Sequence, residues 1–280
     1  MRPDRLRFGT AGIPLSTPKP ATTREGISHV RMLGLDAMEL EFVHSIFLKK
    51  ERAPEIGTLA REQDVLLTAH APYYINLNSS DEKKRSASAK RILDTARVAH
   101  AASAYSITYH PGFFMKESPD RVFERIRTAI RDIERTLEDE GVDIWVRPET
   151  TGKPTQFGDI NEILAISEEC ERVMPCIDFA HLHARSNGAW NSLAEFRTVF
   201  ETIEQRLGSE GLANMHVHFS GIAYAEKGEK HHLPIEDSDF RYDEWVHVLR
   251  EFKPKGVFIS ESPNIEQDAL LIQKSYRGKR

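Results

Sequence analysis

Short apolar segments alternate with longer helical patterns along the whole chain, and this alternation constrains the fold more than any other feature. Eight segments have strand-like composition. They cover residues 6–11, 37–43, 66–71, 106–110, 144–149, 174–179, 215–219 and 257–261. Strand–helix alternation indicates parallel βαβ units, and eight units in one uninterrupted series favour closure into a barrel over an open sheet. We therefore predict an α/β fold of the (β/α)8 TIM-barrel type.

The helical segments carry recognisable start and stop signals. The clearest helix begins with Ser118 as N-cap and Pro119 at the first helical position, and it ends at Gly141. Its apolar stripe consists of Val122, Ile126, Ile130, Ile133 and Leu137. Ser79 and Glu82 predict a capping box for another helix, residues 193–207 predict a third, and the basic segment 274–280 predicts a frayed tail.

Length and composition indicate one globular domain over residues 1–280. A TIM barrel typically needs about 250 residues, and no Gly/Ser-rich linker divides the 280 residues of this chain. No apolar run reaches the ~18 residues of a membrane span. The first eight residues lack the apolar core of a signal peptide, and Cys170 and Cys176 are too few for a disulfide framework. We expect a cytoplasmic monomer with no membrane association.

Ligand-type side chains occur at the ends of nearly all predicted strands from the third onward. The residues are His70, His110, Glu149, Asp178 with His181, His216 and Glu261, and the loop after the seventh strand adds Glu229 and His231. The carboxyl ends of barrel strands converge on one mouth, so these side chains should meet in space. A single one of them is more often a hydrogen-bonded structural residue than a ligand, but the repetition along the barrel favours a common site.

Imidazole and carboxylate ligands together indicate zinc, manganese or iron. One zinc ion takes three or four protein ligands, so nine convergent groups indicate two or three ions. A structural zinc site usually involves cysteine, which this set lacks, so a metal-stabilised scaffold is disfavoured. The other histidines are interpreted as surface or supporting side chains, although His183, His218 and His232 lie close enough in sequence to assist.

Sequence motifs around these residues carry a family resemblance. The motifs are YHPG at 109–112, PETTG at 148–152 with QFG at 156–158, CIDFAH at 176–181, MH at 215–216, KHH at 230–232 and ESP at 261–263. Over nearly its whole length the chain resembles endonuclease IV, the metal-dependent apurinic/apyrimidinic endonuclease family, within the xylose-isomerase-like barrels.

The resemblance implies three Zn²⁺ sites, with Mn²⁺ possible at one or more of them. One ion would be held by His70, His110 and Glu149, and Glu149 would bridge to a second ion held also by Asp178, His216 and Glu261. The third would be held by His181, Glu229 and His231, where Glu229 replaces the usual Asp of the family. Glu149 and Glu261 would be the catalytic carboxylates, beside a hydroxide that bridges two ions. The implied reaction is hydrolysis of the phosphodiester 5′ to an abasic site in duplex DNA, a step of base excision repair.

The resemblance also implies DNA contacts. Tyr73 and Tyr74 would stack beside a flipped abasic nucleotide, or they would instead pack beneath the third helix. Lys153, Arg185 and Lys230 would contact phosphate. The net charge of −5 argues against nucleic acid, although three divalent ions would offset it. Glu39 and Glu41 stand where a cationic or amide-bearing loop is expected, and they would repel phosphate unless they are buried or face the metal ions.

The main alternative is a sugar isomerase or epimerase of the same superfamily. Such an enzyme would use one ion held by Glu149, Asp178, His216 and Glu261, and it would move a proton beside a carbonyl group. It would not need His70, His110, His181 and the pair of Glu229 and His231. About three ions per chain would support the nuclease, one would support the isomerase, and none would count against both.

Overall fold

The computed structural model describes residues 3–278, and its strands form an α/β barrel. In chain order the strands are β1 (Leu6–Ala11), β2 (Ala37–Glu41), β3 (Leu66–His70), β4 (Ser106–Tyr109), β5 (Gly112–Phe113), β6 (Trp145–Pro148), β7 (Gln156–Phe157), β8 (Cys176–Asp178), β9 (Met215–Phe219), β10 (Gly221–Ala225), β11 (Gly228–Leu233) and β12 (Gly256–Ser260). The helices are α1 (Thr23–Met32), α2 (Ala53–Glu62), α3 (Glu82–Ala101), α4 (Pro119–Asp139), α5 (Ile160–Glu168), α6 (Phe179–Arg185), α7 (Leu193–Ala213), α8 (Tyr242–Phe252) and α9 (Glu266–Arg277), with a 3-10 turn at Ile235–Asp237.

Eight strands pair in parallel in the order β6-β4-β3-β2-β1-β12-β9-β8. Isolated bridges between Val146 and Val173 and between Glu149 and Cys176 bring the two edge strands together and nearly close the barrel. The predicted TIM-barrel fold is confirmed. Two antiparallel pairs, β5 with β7 and β10 with β11, lie outside the barrel sheet.

No helix within residues 3–278 combines the length and the apolar character needed to cross a membrane.

The helix predictions have mixed outcomes. The helix after Ser118 is confirmed as α4, and its five apolar stripe residues are buried. The capping box at Ser79 and Glu82 is wrong, because Asp81 is the N-cap of α3 and its carboxylate accepts a hydrogen bond from the Lys83 amide. The predicted helix at 193–207 continues as α7 to Ala213, with a kink at Gly208, whose φ is 67°.

The expected frayed tail is also wrong over residues 274–277, which belong to α9. The Arg250 guanidinium donates hydrogen bonds to the carbonyl groups of Ser275, Tyr276 and Gly278. These bonds satisfy carbonyl groups that a helix end leaves without partners, so the end of α9 is fixed to α8. Residues 279–280 of the predicted tail lie outside the described residues.

Alternation along β2 explains where its two carboxylates point. Met38, Leu40 and Phe42 belong to the large core cluster between the sheet and the helices. Because successive side chains of a strand point to opposite faces, Glu39 and Glu41 face the interior of the barrel. Ala37, on the same face, packs with Leu66 and Tyr105 in a smaller cluster.

Candidate metal centre

The candidate site lies at the carboxyl ends of the barrel strands. His70 is the last residue of β3 and Asp178 the last residue of β8, while His110, Glu149 and Glu261 follow β4, β6 and β12 within one or two residues. Strand ends position these side chains because the barrel fixes the backbone there while the following loop is free to vary. The site therefore stands on the most rigid part of the fold.

The Glu149 carboxylate is fully buried at the centre of this group. Its oxygens lie 3.3 Å from His70 Nε2, 3.4 Å from His110 Nε2, 3.2 Å from His181 Nδ1 and 3.3 Å from His218 Nδ1. Two atoms bound to one tetrahedral zinc ion at roughly 2.0–2.2 Å stand about 3.3 Å apart. The spacing of Glu149 from His70, His110 and His218 therefore fits ligands that share a metal ion, whereas His181 Nδ1 also faces the Thr150 carbonyl.

Charges around Glu149 also match a cation site. Burial alone would raise the pKa of Glu149. The imidazoles of His218 and His110 have the larger opposite effect, so the pKa lies well below its usual value. Burial lowers the pKa of His70, but its hydrogen bond to Glu149 and the charge of Glu41 raise it to about 10. Without metal ions the carboxylates therefore hold protons on neighbouring imidazoles, and these protons occupy the place of a cation.

Five groups of ligand-type atoms in residues 3–278 come within 4.8 Å of one another, and three of them contain the predicted strand-end ligands together with the loop residue Glu229. These three groups are His70 with His110 and Glu149; Glu149 with Asp178, His218 and Glu261; and His181 with Glu229 and His232. Glu149 is shared by the first two groups. Seven of the nine predicted ligands belong to these three groups; His218 and His232 stand there in place of His216 and His231, and His216 instead lies with Cys176 and His218.

His216 lies one layer deeper in the barrel than His218. The two side chains point to the same face of β9 because they are two residues apart, and this face is the interior of the barrel. His216 pairs in register with Cys176, whereas His218 pairs with the ligand-type residue Asp178 at the strand end. Distance from the strand end could have distinguished the two histidines in the sequence. The other barrel-strand members of the cluster lie at the last residue of a strand or just after it, and His218 is nearer to that end than His216.

A β-bulge determines which of the neighbouring residues His231 and His232 lies on the same face of the hairpin as Glu229. In the β10–β11 pair, Ala223 stands opposite His231 but Tyr224 stands opposite Glu229, so Lys230 is an extra residue. The extra residue reverses the alternation, and Glu229 and His232 therefore fall on the same face. His231 is exposed and His232 is half-buried. A bulge cannot be located from the alternation of the sequence alone.

The third group depends on close contact between two loops. The Glu229 amide donates to the Gly152 carbonyl at 2.9 Å. A Cβ at Gly152 would stand 2.7 Å from the Glu229 Cβ and 3.0 Å from His181 Cδ2, and Gly228 adopts φ +89° where its own Cβ would meet the Gly152 oxygen at 2.3 Å. Both positions therefore require glycine for the β10–β11 hairpin to reach the site.

Unpartnered buried atoms show that the residues present fit a cation. His181 Nδ1 lies 2.9 Å from the Thr150 carbonyl oxygen, and the buried His181 Nε2 has no hydrogen-bond partner among residues 3–278 and lies 3.7 Å from Glu229 Oε2. Asp178 Oδ1 accepts a hydrogen bond from the His181 amide, but the buried Asp178 Oδ2 has no hydrogen bond within the described part of the chain, although it lies 3.2 Å from His181 Nδ1. Buried polar atoms are rarely left unpaired, and a bound ion would satisfy both.

The paired histidines allow a direct test of the third group. We expect His232→Ala to retain one metal ion fewer per chain than the unmodified protein, whereas His231→Ala should retain the full number, because only His232 faces His181 and Glu229. Metal content after gel filtration, measured by inductively coupled plasma mass spectrometry, gives the count. Loss of an ion in His231→Ala alone would contradict the bulge assignment.

The residues predicted to contact DNA lie in different environments. Tyr73 and Tyr74 are 57% and 61% exposed on the loop after β3, so they are not packed beneath the third helix. Lys230 is exposed and Lys153 is half-buried. Arg185 instead donates hydrogen bonds to the carbonyl groups of Thr151, Lys153 and Gln156, so we assign it a structural role. Glu39 is fully buried, and both Glu39 and Glu41 face the metal-ligand cluster.

Comparisons with known proteins find relatives over most of the chain. An uncharacterized protein of Methanocaldococcus jannaschii is 41% identical over 271 residues, 97% of each chain. A probable endonuclease 4 of Clostridium botulinum is 26% identical over 233 residues, 80% of this chain and 82% of the other.

Two solved structures show the same fold. Endonuclease IV from Thermus thermophilus has a TM-score of 0.70 at 17% identity and covers 96% of this chain and 97% of its own. A D-tagatose 3-epimerase-like protein has a TM-score of 0.67 at 18% identity, with 95% and 94% covered. The family model of the xylose isomerase-like TIM barrel matches residues 27–277. The chain therefore belongs to the xylose isomerase-like TIM barrel family.

Proposed function

We propose that this chain is a metal-dependent hydrolase that cuts the phosphodiester 5′ to an abasic site in duplex DNA. The observation that carries this proposal is the group of His181, Glu229 and His232 beside the two groups that share Glu149. A phosphodiester carries negative charge on its non-bridging, attacking and leaving oxygens, and a site with several ions can match all of them. The similarity to probable endonuclease 4 proteins supports the same reaction.

The ligand set suits Zn²⁺, and Mn²⁺ is compatible with the same imidazoles and carboxylates. Bound divalent ions would supply positive charge beside the phosphate oxygens and would acidify a water molecule for attack. Glu149 would belong to both the first and the second group, since its carboxylate lies within 3.4 Å of His70 and His110 of the first group and of His218 of the second. Glu261 and Asp178 would complete the second group from the two strands on either side of β9.

Exposed aromatic side chains at the rim support a DNA substrate. Tyr73 lies edge-on to His70 with ring centroids 5.6 Å apart, and Tyr74 stacks on His44 at 6.2 Å. The Tyr73 ring therefore lies beside a candidate metal ligand, the Tyr74 ring lies against the loop after β2, and more than half of each side chain is exposed. An aromatic ring in this position can fill the gap left by a missing base or separate neighbouring base pairs.

The proposed activity is tested on a labelled duplex oligonucleotide with one tetrahydrofuran abasic analogue. We expect a single nick 5′ to the analogue that leaves a 3′-hydroxyl, and no cleavage of the same duplex with an intact nucleotide. Pre-incubation with a chelator should prevent the nick, and added Zn²⁺ should restore it. Equal cleavage of the abasic and intact duplexes, or none of either by metal-loaded protein, would contradict the proposal.

Sugar epimerisation is the second candidate, and the similarity of the barrel to an epimerase-like structure favours it. That reaction would use Glu149, Asp178, His218 and Glu261 around one ion. It would leave the other two groups without a role. One bound ion per chain, together with carbon-centred proton exchange in a ketose, would establish this candidate in place of the nuclease.

The rim tyrosines give a prediction about binding. We expect Tyr73→Ala and Tyr74→Ala each to weaken binding to abasic duplex by roughly tenfold, since a stacking contact contributes about 1–3 kcal/mol. The melting temperature should stay unchanged, because these side chains are more than half exposed. Fluorescence anisotropy with a catalytically inactive background measures the affinity. Met32→Ala is the matched control, because Met32 is a 70% exposed apolar side chain on α1.

A further inference from the structure

A second layer of polar side chains lies inside the barrel beneath the metal-ligand cluster. Its centre is Glu39, a fully buried carboxylate on β2. Glu39 Oε1 lies 2.8 Å from His218 Nε2, and Glu39 Oε2 lies 3.0 Å from His216 Nε2. Both imidazoles are also fully buried. One carboxylate therefore stands between the two histidines of β9.

A buried carboxylate needs donors on both oxygens. Removal of an ionised carboxylate from water costs several kcal/mol unless nearby donors compensate it. The ion pairs that the structure gives to Glu39 join it to Nε2 of His216 and Nε2 of His218. The rings are not aligned for a hydrogen bond to Glu39 among residues 3–278, so these are ion-pair contacts at short distance. Compensation of the carboxylate nonetheless requires a hydrogen on Nε2 of each imidazole.

The tautomer of His218 then determines its ligating atom. A neutral imidazole with hydrogen on Nε2 has its lone pair on Nδ1. His218 Nδ1 lies 3.3 Å from Glu149 Oε1 and 3.4 Å from Glu261 Oε1, at the cluster. His216 Nδ1 lies 3.0 Å from Ser106 Oγ, which can donate to it. The hydrogens of this chain of contacts can therefore be placed consistently: the Ser106 hydroxyl donates to His216 Nδ1, and Nε2 of both His216 and His218 carries a hydrogen toward Glu39.

Three of the other candidate histidine ligands turn the opposite ring atom, Nδ1, toward a carbonyl or hydroxyl oxygen, although His181 Nδ1 also lies 3.2 Å from Glu149 Oε1. His70 Nδ1 faces the Ala71 carbonyl at 2.7 Å, His181 Nδ1 faces the Thr150 carbonyl at 2.9 Å, and His232 Nδ1 faces Ser220 Oγ at 2.6 Å. These partners leave Nε2 for a metal ion. His218 has the opposite orientation, because its Nε2 lies 2.8 Å from the Glu39 carboxylate, which is deeper in the barrel.

We propose that Glu39 is a positioning residue that selects Nδ1 of His218 as the metal-binding atom and holds that ring in place from beneath. This inference rests on the proposed metal centre but does not depend on the nuclease reaction. A carboxylate behind a ligating imidazole fixes the ring and raises its basicity, and loss of such a partner typically lowers metal affinity 10–100-fold.

The first experiment is made on the unmodified protein and uses a substitution only to assign signals. Protein labelled with ¹⁵N-histidine and loaded with Zn²⁺ is studied by long-range ¹H–¹⁵N correlation spectroscopy, and the His218 signals are assigned by their loss in His218→Gln. We expect a protonated Nε2 and a metal-bound Nδ1 for His218. A metal-bound Nε2 would overturn the proposal, whatever the protein does to DNA.

The second experiment measures affinity for Zn²⁺ alone by competition with a chromophoric chelator. We expect Glu39→Gln to bind the weakest-held ion roughly 10–100-fold less tightly. Glu41→Gln is the control: it makes the same substitution two residues further along β2, at a carboxyl group that also faces the cluster but makes no ion pair with either β9 imidazole in residues 3–278. Its loss of affinity should be smaller by at least about fivefold. Equal losses in the two variants would overturn the proposal.

A third measurement separates the proposal from a competing site in the same place. Cys176, His216 and His218 also come within 4.8 Å of one another. Co²⁺-loaded protein should show no thiolate-to-cobalt absorption, and such a band with an additional ion would overturn the proposal in favour of a buried fourth site. Failure to nick abasic DNA, with the expected His218 spectrum intact, would reject the proposed function and leave the role of Glu39 standing.

Discussion

Replacement of Glu149 by Gln should lower kcat/KM for abasic DNA by on the order of 1000-fold or more. The side chain is shared by two ligand groups and lies within 3.2–3.4 Å of four imidazoles, so an amide would remove charge from both groups at once. The amide nitrogen would also face ring nitrogens that need an acceptor or a cation. Steady-state cleavage of the abasic duplex at saturating Zn²⁺ gives the rate.

Glu229→Gln is the matched control for this substitution. It removes the same charge from a carboxylate that belongs to the third group alone. We expect a smaller loss of rate and the loss of one bound ion, while Glu149→Gln should affect two. Circular dichroism should show the same fold in both variants, since the barrel strands do not depend on either carboxylate. Full activity of Glu149→Gln would remove the basis of the proposed site.

Removal of the metal ions should have the other large effect. We expect dialysis against a strong chelator to abolish cleavage, because bound ions contribute several kcal/mol to charge stabilisation in the transition state. The unfolding temperature should also fall. At a free ion concentration 1000 times the dissociation constant, each site stabilises the fold by about 4 kcal/mol, which corresponds to roughly 10 °C for a domain of this size. Calorimetry of the metal-free and reloaded protein measures both temperatures.

The direction of the pH dependence follows from the metal-free site. Because the pKa of His70 is raised to about 10 when no ion is bound, an ion must displace a proton from this imidazole at neutral pH. Ion affinity should therefore rise with pH and fall as the pH is lowered. Chelator competition at about pH 8 and about pH 6 should show tighter binding at the higher pH. Affinity that is independent of pH would contradict the assignment of His70 as a ligand.

Much of this arrangement was predictable because the barrel imposes strict geometry. Each strand contributes its end to the same mouth, so the positions of His70, Asp178 and Glu261 in their strand patterns were sufficient to bring them together. The α4 helix was predictable for a similar reason, since Pro119 and the stripe from Val122 to Leu137 describe a local structure. Local periodicity and the order of the strands were therefore sufficient to predict these parts of the structure.

The remaining details depend on contacts between distant segments. Depth within the barrel separates His216 from His218, and depth depends on the register of β9 against β8. The choice of His232 over His231 depends on a bulge that is fixed by pairing with β10. Arg185 is charged like a phosphate contact, but the loop after Glu149 folds around its guanidinium. Composition and spacing contain none of these relations.

The contact between Gly152 and Gly228 makes the metal centre separable into two parts. Strand ends build the two groups that share Glu149, whereas the third group needs a hairpin that rests on another loop through two residues without side chains. A single methyl group at either position would lift the hairpin and leave the barrel intact. The third ion could therefore be lost or acquired independently during evolution, and a related barrel could change its chemistry at this hairpin without rebuilding its core.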